Sequence, residues 1–233
     1  MKLIFIVGKK RSGKDTAVDF IEENYDTHRY KLAYPIKAAL ESGWNNGNDF
    51  RYDFSPGIKL TPDDWDGKGI DREKFLPISN HDVLSIINRA LQYLAKNHGL
   101  KYPEFDNPRF LEEMILNNTE AWNIRRLMQT LGTDLIVNHF DRMFWVKLFA
   151  NEYADKFYED KKFFIVPDTR QDHELAFARA MGATVIHVVR EGSGSEDTHI
   201  TEAGLPIAEG DIVIENNGTL EEFKNKIIEV LND

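Results

Sequence analysis

Residues 3–16 (LIFIVGKKRSGKDT) constrain the fold of this chain more than any other stretch. Five apolar residues in a row, Leu3, Ile4, Phe5, Ile6 and Val7, suit a short strand covered on both faces of a parallel sheet. Gly8 and Gly13 bracket four residues and Lys14 follows, which is the spacing of a phosphate-binding loop. The spacing has a physical cause. Glycines let the backbone turn tightly, so successive N–H groups point inward as an anion nest. A helix starting near Lys14 adds its positive dipole end, and the lysine reaches outward as a mobile point charge. The bare pattern arises by chance in roughly one chain in fifteen of this length. The apolar run before it and the amphipathic positions Ala17, Val18, Phe20 and Ile21 after it make the combination far rarer. One residue departs from the common form. Asp15 stands where a metal-touching Ser or Thr is usual, and Thr16 comes one place later; the sequence leaves open which of them serves a metal.

The rest of the chain alternates strand and helix signals, which gives an α/β fold of the P-loop NTPase type, three layers with a parallel central sheet. Residues 28–33 read as a weak second strand, and Pro35 sits where a helix can begin. Lys37 falls in the first turn of that helix, against the dipole, so it is either placed for an anion or simply solvated. Residues 43–80 read as a long irregular insertion with Trp44, Phe50, Tyr52, Phe54 and Trp65, more a folded cap than a linker. Within it Asp63, Asp64 and Asp66 read as a solvated turn. Ser79 to Asp82 and Thr219 to Glu222 read as capping boxes, Gly99 as a helix stop, and Pro103 and Pro108 as a further break.

Residues 119–131 carry a buried stripe of Ile124, Leu127, Met128 and Leu131 at helical spacing. The opposite face carries Trp122, Arg125, Arg126 and Gln129. Two arginines can clamp a phosphate, a glutamine can read a base edge and a tryptophan can stack; an ordinary exposed helix face is the plainer alternative. Gly132, Thr133 and Asp134 are expected to break this helix and cap the next. Residues 141–157 are apolar almost all round, so Trp145 reads as core before it reads as a stacking platform. Residues 163–166 (FFIV) form another buried strand, with Asp168 and Arg170 just past its carboxyl end. Downstream of a phosphate loop that is the Walker-B arrangement, in which the carboxylate holds Mg²⁺ or its water; a helix N-terminal acid is the plainer reading of Asp168. Residues 184–189 are β-rich and close on Arg190, and the glycine-serine stretch after it suits a short lid at about 190–210.

Composition excludes several classes. The chain of 233 residues carries a formal charge of −10 and a pI near 5.2, which argues against a general nucleic-acid or membrane-surface binder. There is no cysteine, hence no disulfide, thiol catalysis or Cys-ligated zinc. No apolar run is long enough to cross a bilayer. The first strand begins too close to Met1 to leave room for a signal peptide, so a cytoplasmic protein is expected.

Four stretches, 8–16 (GKKRSGKDT), 125–134 (RRLMQTLGTD), 166–174 (VPDTRQDHE) and 197–206 (DTHITEAGLP), resemble the deoxynucleoside monophosphate kinases of T-even-type bacteriophages, a P-loop family whose loops end Gly-Lys-Asp-Thr. The resemblance is weakest over 43–118. It implies a kinase core of residues 1–42 and 119–233 and an inserted substrate-side region of 43–118. It also implies transfer of the γ-phosphoryl group of ATP to deoxynucleoside 5′-monophosphates, with dGMP, dTMP and 5-hydroxymethyl-dCMP as family substrates. Gly8, Arg11, Ser12, Gly13, Lys14, Asp15 and Thr16 would hold ATP, with Asn216 and Gly218 on the adenine side. Mg²⁺ would lie near Asp15, Thr16 and Asp168. Lys14, Arg170, Arg190 and Asp168 would carry the chemistry. Lys10, Lys37, Arg125, Arg126, Gln129, Gly132, Thr133 and Trp145 would serve the acceptor. The resemblance makes a homodimer plausible and places the protein in the host cytoplasm. Two other readings stay open: a P-loop kinase of another phosphorylated metabolite such as phosphomevalonate, and a non-catalytic nucleotide-binding regulator, which would have no use for the arginine face.

Overall fold

The computed structural model describes residues 1–45, 58–102, 109–193 and 205–232. Two compact units emerge, one of Met1–Leu32 with Val146–Asp233 and one of Ala33–Trp145. The second unit starts earlier and ends later than the 43–118 insertion expected from sequence, because the helices on either side of that insertion pack with it.

The first unit is built on a parallel five-stranded sheet. Its strands are β1 (Lys2–Val7), β2 (Thr27–Arg29), β3 (Phe163–Val166), β4 (Thr184–Val189) and β5 (Ile212–Glu215), in the order β2-β3-β1-β4-β5. All four pairings are parallel, with Leu3 opposite Phe164 and Ile6 opposite Ile186. The two-residue period sends alternate side chains to opposite faces. Ile4, Ile6, Ile165, Ile186 and Val188 pack with helices α1 (Lys14–Asn24) and α9 (Leu220–Asn232) through Val18, Ile21, Phe223 and Ile227. Leu3, Phe5, Val7, Phe164 and Val166 face the other way, toward Phe149 of α7 (Phe144–Lys156) and Leu175 of α8 (Asp172–Ala180). This is the three-layer α/β fold that the sequence implies. Each fully buried Ile, Leu or Phe contributes about 2 kcal/mol. The second strand is shorter than expected: pairing stops at Arg29, although Tyr30 still donates its N–H to the Ile165 carbonyl at 2.9 Å.

The second unit is helical among its described residues. It contains α2 (Tyr34–Asn45), α3 (Pro62–Asp66), α4 (Asn80–His98), α5 (Arg109–Leu116), α6 (Ile124–Gln129) and a π-helix (Thr130–Phe140). Helices α2 and α4 cross closely because Gly43 has no side chain: a Cβ there would lie 2.4 Å from the Ile86 carbonyl oxygen. Both readable caps are present, Ser79 with Asp82 and a left-handed Gly99 after α4.

Three sequence expectations change here. The chain does not break at Gly132 but runs on as the π-helix to Phe140. Gly132 is there for packing, since a Cβ would lie 2.8 Å from Ile36 Cδ1. The acidic run at 63–66 is no solvated turn. Asp64 accepts from Thr61 N, Thr61 Oγ1 and Ile70 N at 2.7, 2.7 and 2.8 Å, and these bonds hold its carboxyl below the usual range. Beside it, Trp65 meets the buried Trp44 edge-on at 6.2 Å. Trp122 is not on an open face: it is buried, and its indole N–H donates to Asn80 Oδ1 at 2.7 Å. Phe50, Tyr52, Phe54, Pro103, Pro108 and residues 194–204 of the expected lid lie outside the described residues.

Candidate active site

Strand β1 lies between β3 and β4, while the chain leaves it first toward β2. The carboxyl end of β1 is therefore the point where the winding reverses, the place where open parallel sheets bind ligands. Residues 8–13 form the loop at that end. Gly8, Arg11 and Gly13 have φ of 156°, 66° and 106°. A left-handed Arg costs on the order of 1 kcal/mol, and such strain gathers where a loop must hold a fixed shape. Both glycines are required sterically. A Cβ on Gly8 would lie 2.4 Å from the Val188 carbonyl oxygen, and one on Gly13 would lie 2.4 Å from Asn216 Nδ2. Ser12 is buried, and its Oγ finds no hydrogen-bond partner among the described residues. A cradle closed to any Cβ, with an unsatisfied buried hydroxyl, fits a phosphate chain. Lys14 folds its ammonium back onto the carbonyl oxygens of Gly8 and, at 3.1 Å, Lys9. Lys10 is partly exposed and Arg11 exposed.

The segments past β2 and β3 are tied to each other, and the segment past β5 is tied to this loop. Asp168, two residues beyond β3, accepts the Leu32 N–H at 2.8 Å, which stitches the segments after β2 and β3 together. Thr169 beneath it is buried, while Arg170 is exposed. Arg190, one residue beyond β4, is also exposed. Asn216, just past β5, donates its amide to the Ser12 carbonyl at 2.8 Å and its backbone N–H to Val189 O at 2.8 Å. It thus braces the loop from below. Gly218 leaves room for the Glu222 carboxylate that caps α9, which a Cβ would approach to 2.3 Å.

Asp15 points elsewhere. Its carboxylate pairs with Arg29 of β2 at 3.1 Å, and the same guanidinium reaches Asp19 at 3.3 Å and Glu22 at 3.6 Å. Sequence reasoning missed this arginine, because nothing in the residues near 29 signals three acids from α1. Thr16, in the first turn of α1, is partly exposed. No group of three His, Cys, Asp or Glu among the described residues forms a metal site on its own. Magnesium seldom needs one, since substrate phosphates and water supply most of its ligands. A Thr16 hydroxyl and an Asp168 carboxylate suit that chemistry.

In the second unit the candidate cations carry acidic partners. Lys37 pairs with Asp66, Arg125 lies 3.6 Å from Glu73, and Arg126 pairs with Glu120. Arg126 also lies over the Trp122 ring, 5.1 Å from its centroid. Gln129 is partly exposed, and Thr133 and Gly132 are buried. Trp145 is 2% exposed and donates its indole N–H to the Gly132 carbonyl at 2.9 Å. It packs the core and offers no ring face for a base.

The sheet and its loop define the P-loop class of nucleotide-binding α/β proteins. Comparison with known sequences narrows the class. The family described as deoxynucleotide monophosphate kinase matches residues 2–227. The chain is 49% identical to the deoxynucleotide monophosphate kinase of Enterobacteria phage T4, over 97% of each chain. It is 47% identical to that of Escherichia phage RB69, over 99% of this chain and 100% of the relative. This chain belongs to the deoxynucleotide monophosphate kinase family and is a kinase. Among solved structures, dephospho-CoA kinase from Campylobacter jejuni aligns over 100% of this chain and 96% of its own, at 13% identity and a TM-score of 0.43, too distant to argue from. Among the described residues no helix is long and apolar enough to cross a membrane.

Proposed function

We propose that this enzyme transfers the γ-phosphoryl group of ATP to deoxynucleoside 5′-monophosphates, with dGMP, dTMP and 5-hydroxymethyl-dCMP as the first candidates. The observation that carries the reading is the glycine-walled loop at the carboxyl end of β1, with Asp168 and Arg170 on the adjoining strand end. An acceptor phosphate oxygen attacks the γ-phosphorus, the bond to the β,γ-bridging oxygen breaks, and ADP leaves. Such a step needs positioning and charge neutralisation more than covalent help. Lys14 swings from the Gly8 and Lys9 carbonyls to the outer phosphates. Arg170 and Arg190 stabilise charge on the moving group, and removing either costs on the order of 10²-fold in rate. Magnesium, held with Thr16 and Asp168, supplies further charge neutralisation at the phosphates. Asp15 is left to fix α1 against Arg29. Lys10, Lys37, Arg125 and Arg126 serve the acceptor phosphate, and Gln129 the base. A homodimer in the host-cell cytoplasm is part of the same reading.

A coupled ADP-release assay with Mg·ATP tests it across dGMP, dTMP, dCMP, 5-hydroxymethyl-dCMP, dAMP and phosphomevalonate. The expected result is turnover with a subset of the deoxynucleotides. Turnover with phosphomevalonate alone, or with none of the acceptors, overturns the assignment.

A further inference from the structure

Among the described residues four helices open with a capping box, and one of the four is built differently. At α3, α4 and α9 the carboxylate accepts the N–H of the capping residue and that residue's own hydroxyl. The donors are Thr61 at 2.7 and 2.7 Å, Ser79 at 2.7 and 2.8 Å, and Thr219 at 2.7 and 3.1 Å. At α8 the capping residue is Gln171, which has no hydroxyl. Glu174 Oε2 accepts the Gln171 N–H at 3.1 Å and, at a shorter 2.8 Å, the N–H of Arg170. Arg170 precedes the box and gains nothing from capping.

The location is costly. Glu174 is 6% exposed and the α3 carboxylate Asp64 7%, while Glu222 in the equivalent position of α9 lies in solvent. The buried Asp64 takes its additional bonds from the Thr61 hydroxyl and the Ile70 N–H, the buried Glu174 from the N–H of Arg170. Burial pushes the Glu174 carboxyl up to about 7, against the downward pull of the two N–H bonds, whereas Glu222 is pushed down. An exposed box would cap α8 without that desolvation penalty. What the buried arrangement adds is the bond to Arg170.

We propose that Glu174 is a positioning residue for phosphoryl transfer, its buried carboxyl fixing the backbone at Arg170 and so the direction of the Arg170 guanidinium. The inference rests on the role given to Arg170 above. A carboxyl group one methylene shorter would draw the segment out of place, and displacements of about 1 Å at such sites cost on the order of 10²-fold.

The test is a double-mutant cycle on the full chain, with each variant's fold checked by melting. Glu174→Asp is expected to lower kcat about tenfold or more, with KM for ATP and for the acceptor within about twofold. Glu174→Gln, which keeps an acceptor oxygen at the same reach, is expected to stay within about threefold of the parent kcat. In the Arg170→Ala background, Glu174→Asp is expected to cost less than about twofold more. Asp82→Ala, which removes the α4 box, is the control and leaves kcat unchanged. Equal losses from Glu174→Asp in both backgrounds would make Glu174 a cap only and overturn the proposal. So would full activity of Glu174→Asp beside a slow Arg170→Ala. Should the Asp variant not fold, a loss beyond about tenfold in Glu174→Gln overturns it as well. A fully active Arg170→Ala removes the role given to Arg170, and this inference with it, while leaving the acceptor assay above intact.

Discussion

The two units hold their candidate cations in different ways. In the sheet unit, Lys14 rests on backbone carbonyls, those of Gly8 and Lys9. In the helical unit, Lys37, Arg125 and Arg126 rest on the carboxylates of Asp66, Glu73 and Glu120. A carbonyl can release a cation to a phosphate and stay neutral. A carboxylate that loses its partner must be resolvated, and the incoming phosphate competes with it. A phosphate that takes Lys14 from these carbonyls leaves neutral groups behind, while one that takes Lys37, Arg125 or Arg126 must displace a carboxylate. The three pairs also differ among themselves. The Asp66 side chain is 29% exposed, that of Glu73 51% and that of Glu120 75%. Arg126 has the partner that water can most easily take over.

The largest effect falls on the sheet unit. Lys14→Ala is expected to lower turnover on the order of 10³-fold, the upper range for losing one group aimed at developing charge. The melting temperature should stay near that of the parent, because Lys14 is partly exposed and its bonds to the Gly8 and Lys9 carbonyls lie within one loop. Near-normal turnover would remove the contrast between the units, since the cation resting on carbonyls would then have no ligand waiting for it.

On the helical side the expected loss is smaller and confined to one substrate. Arg126→Ala should raise KM for the acceptor about tenfold and leave KM for ATP unchanged, as the loss of one charge-assisted contact implies. Equal effects on both substrates would take Arg126 out of the acceptor set. The Trp122 ring beneath it would then be support for an ordinary surface arginine.

The same division explains how much of the molecule was legible in the sequence. The strand, loop and helix of residues 2–24 are contiguous, and their chemistry is set by spacing, so they could be read directly. The strands at Phe163–Val166 and Thr184–Val189 could be read because a strand buried on both faces is apolar throughout. The helical unit was read less well. A face of Trp122, Arg125, Arg126 and Gln129 is a correct projection only if the helix starts before Trp122, and it starts at Ile124. Gly132 looked like a stop because glycine usually is one; that Ile36 presses against it is a contact between residues nearly a hundred positions apart. The grip of Arg29 on Asp15 and the burial of Glu174 were hidden for the same reason. Local pattern records propensity and spacing, not which distant side chain comes to lie alongside.

The smallest effect gives the sharpest version of the comparison. If the acids of the helical unit restrain its cations, removing the most exposed one should help the acceptor bind. Glu120→Gln keeps the shape and takes away the charge. An exposed pair is worth at most about 1 kcal/mol, so the expected gain is a two- to threefold lower acceptor KM at low ionic strength. It should fade as salt approaches about 1 M, where the screening length falls to about 3 Å. KM for ATP should not move, because Lys14 lies on carbonyls in the other unit. The opposite sign is equally informative. A higher acceptor KM would mean that Glu120 aims the Arg126 guanidinium while Trp122 supports it, so that the pair is a built part of the acceptor site. The carboxylates of the helical unit would then be orienting groups and not competitors.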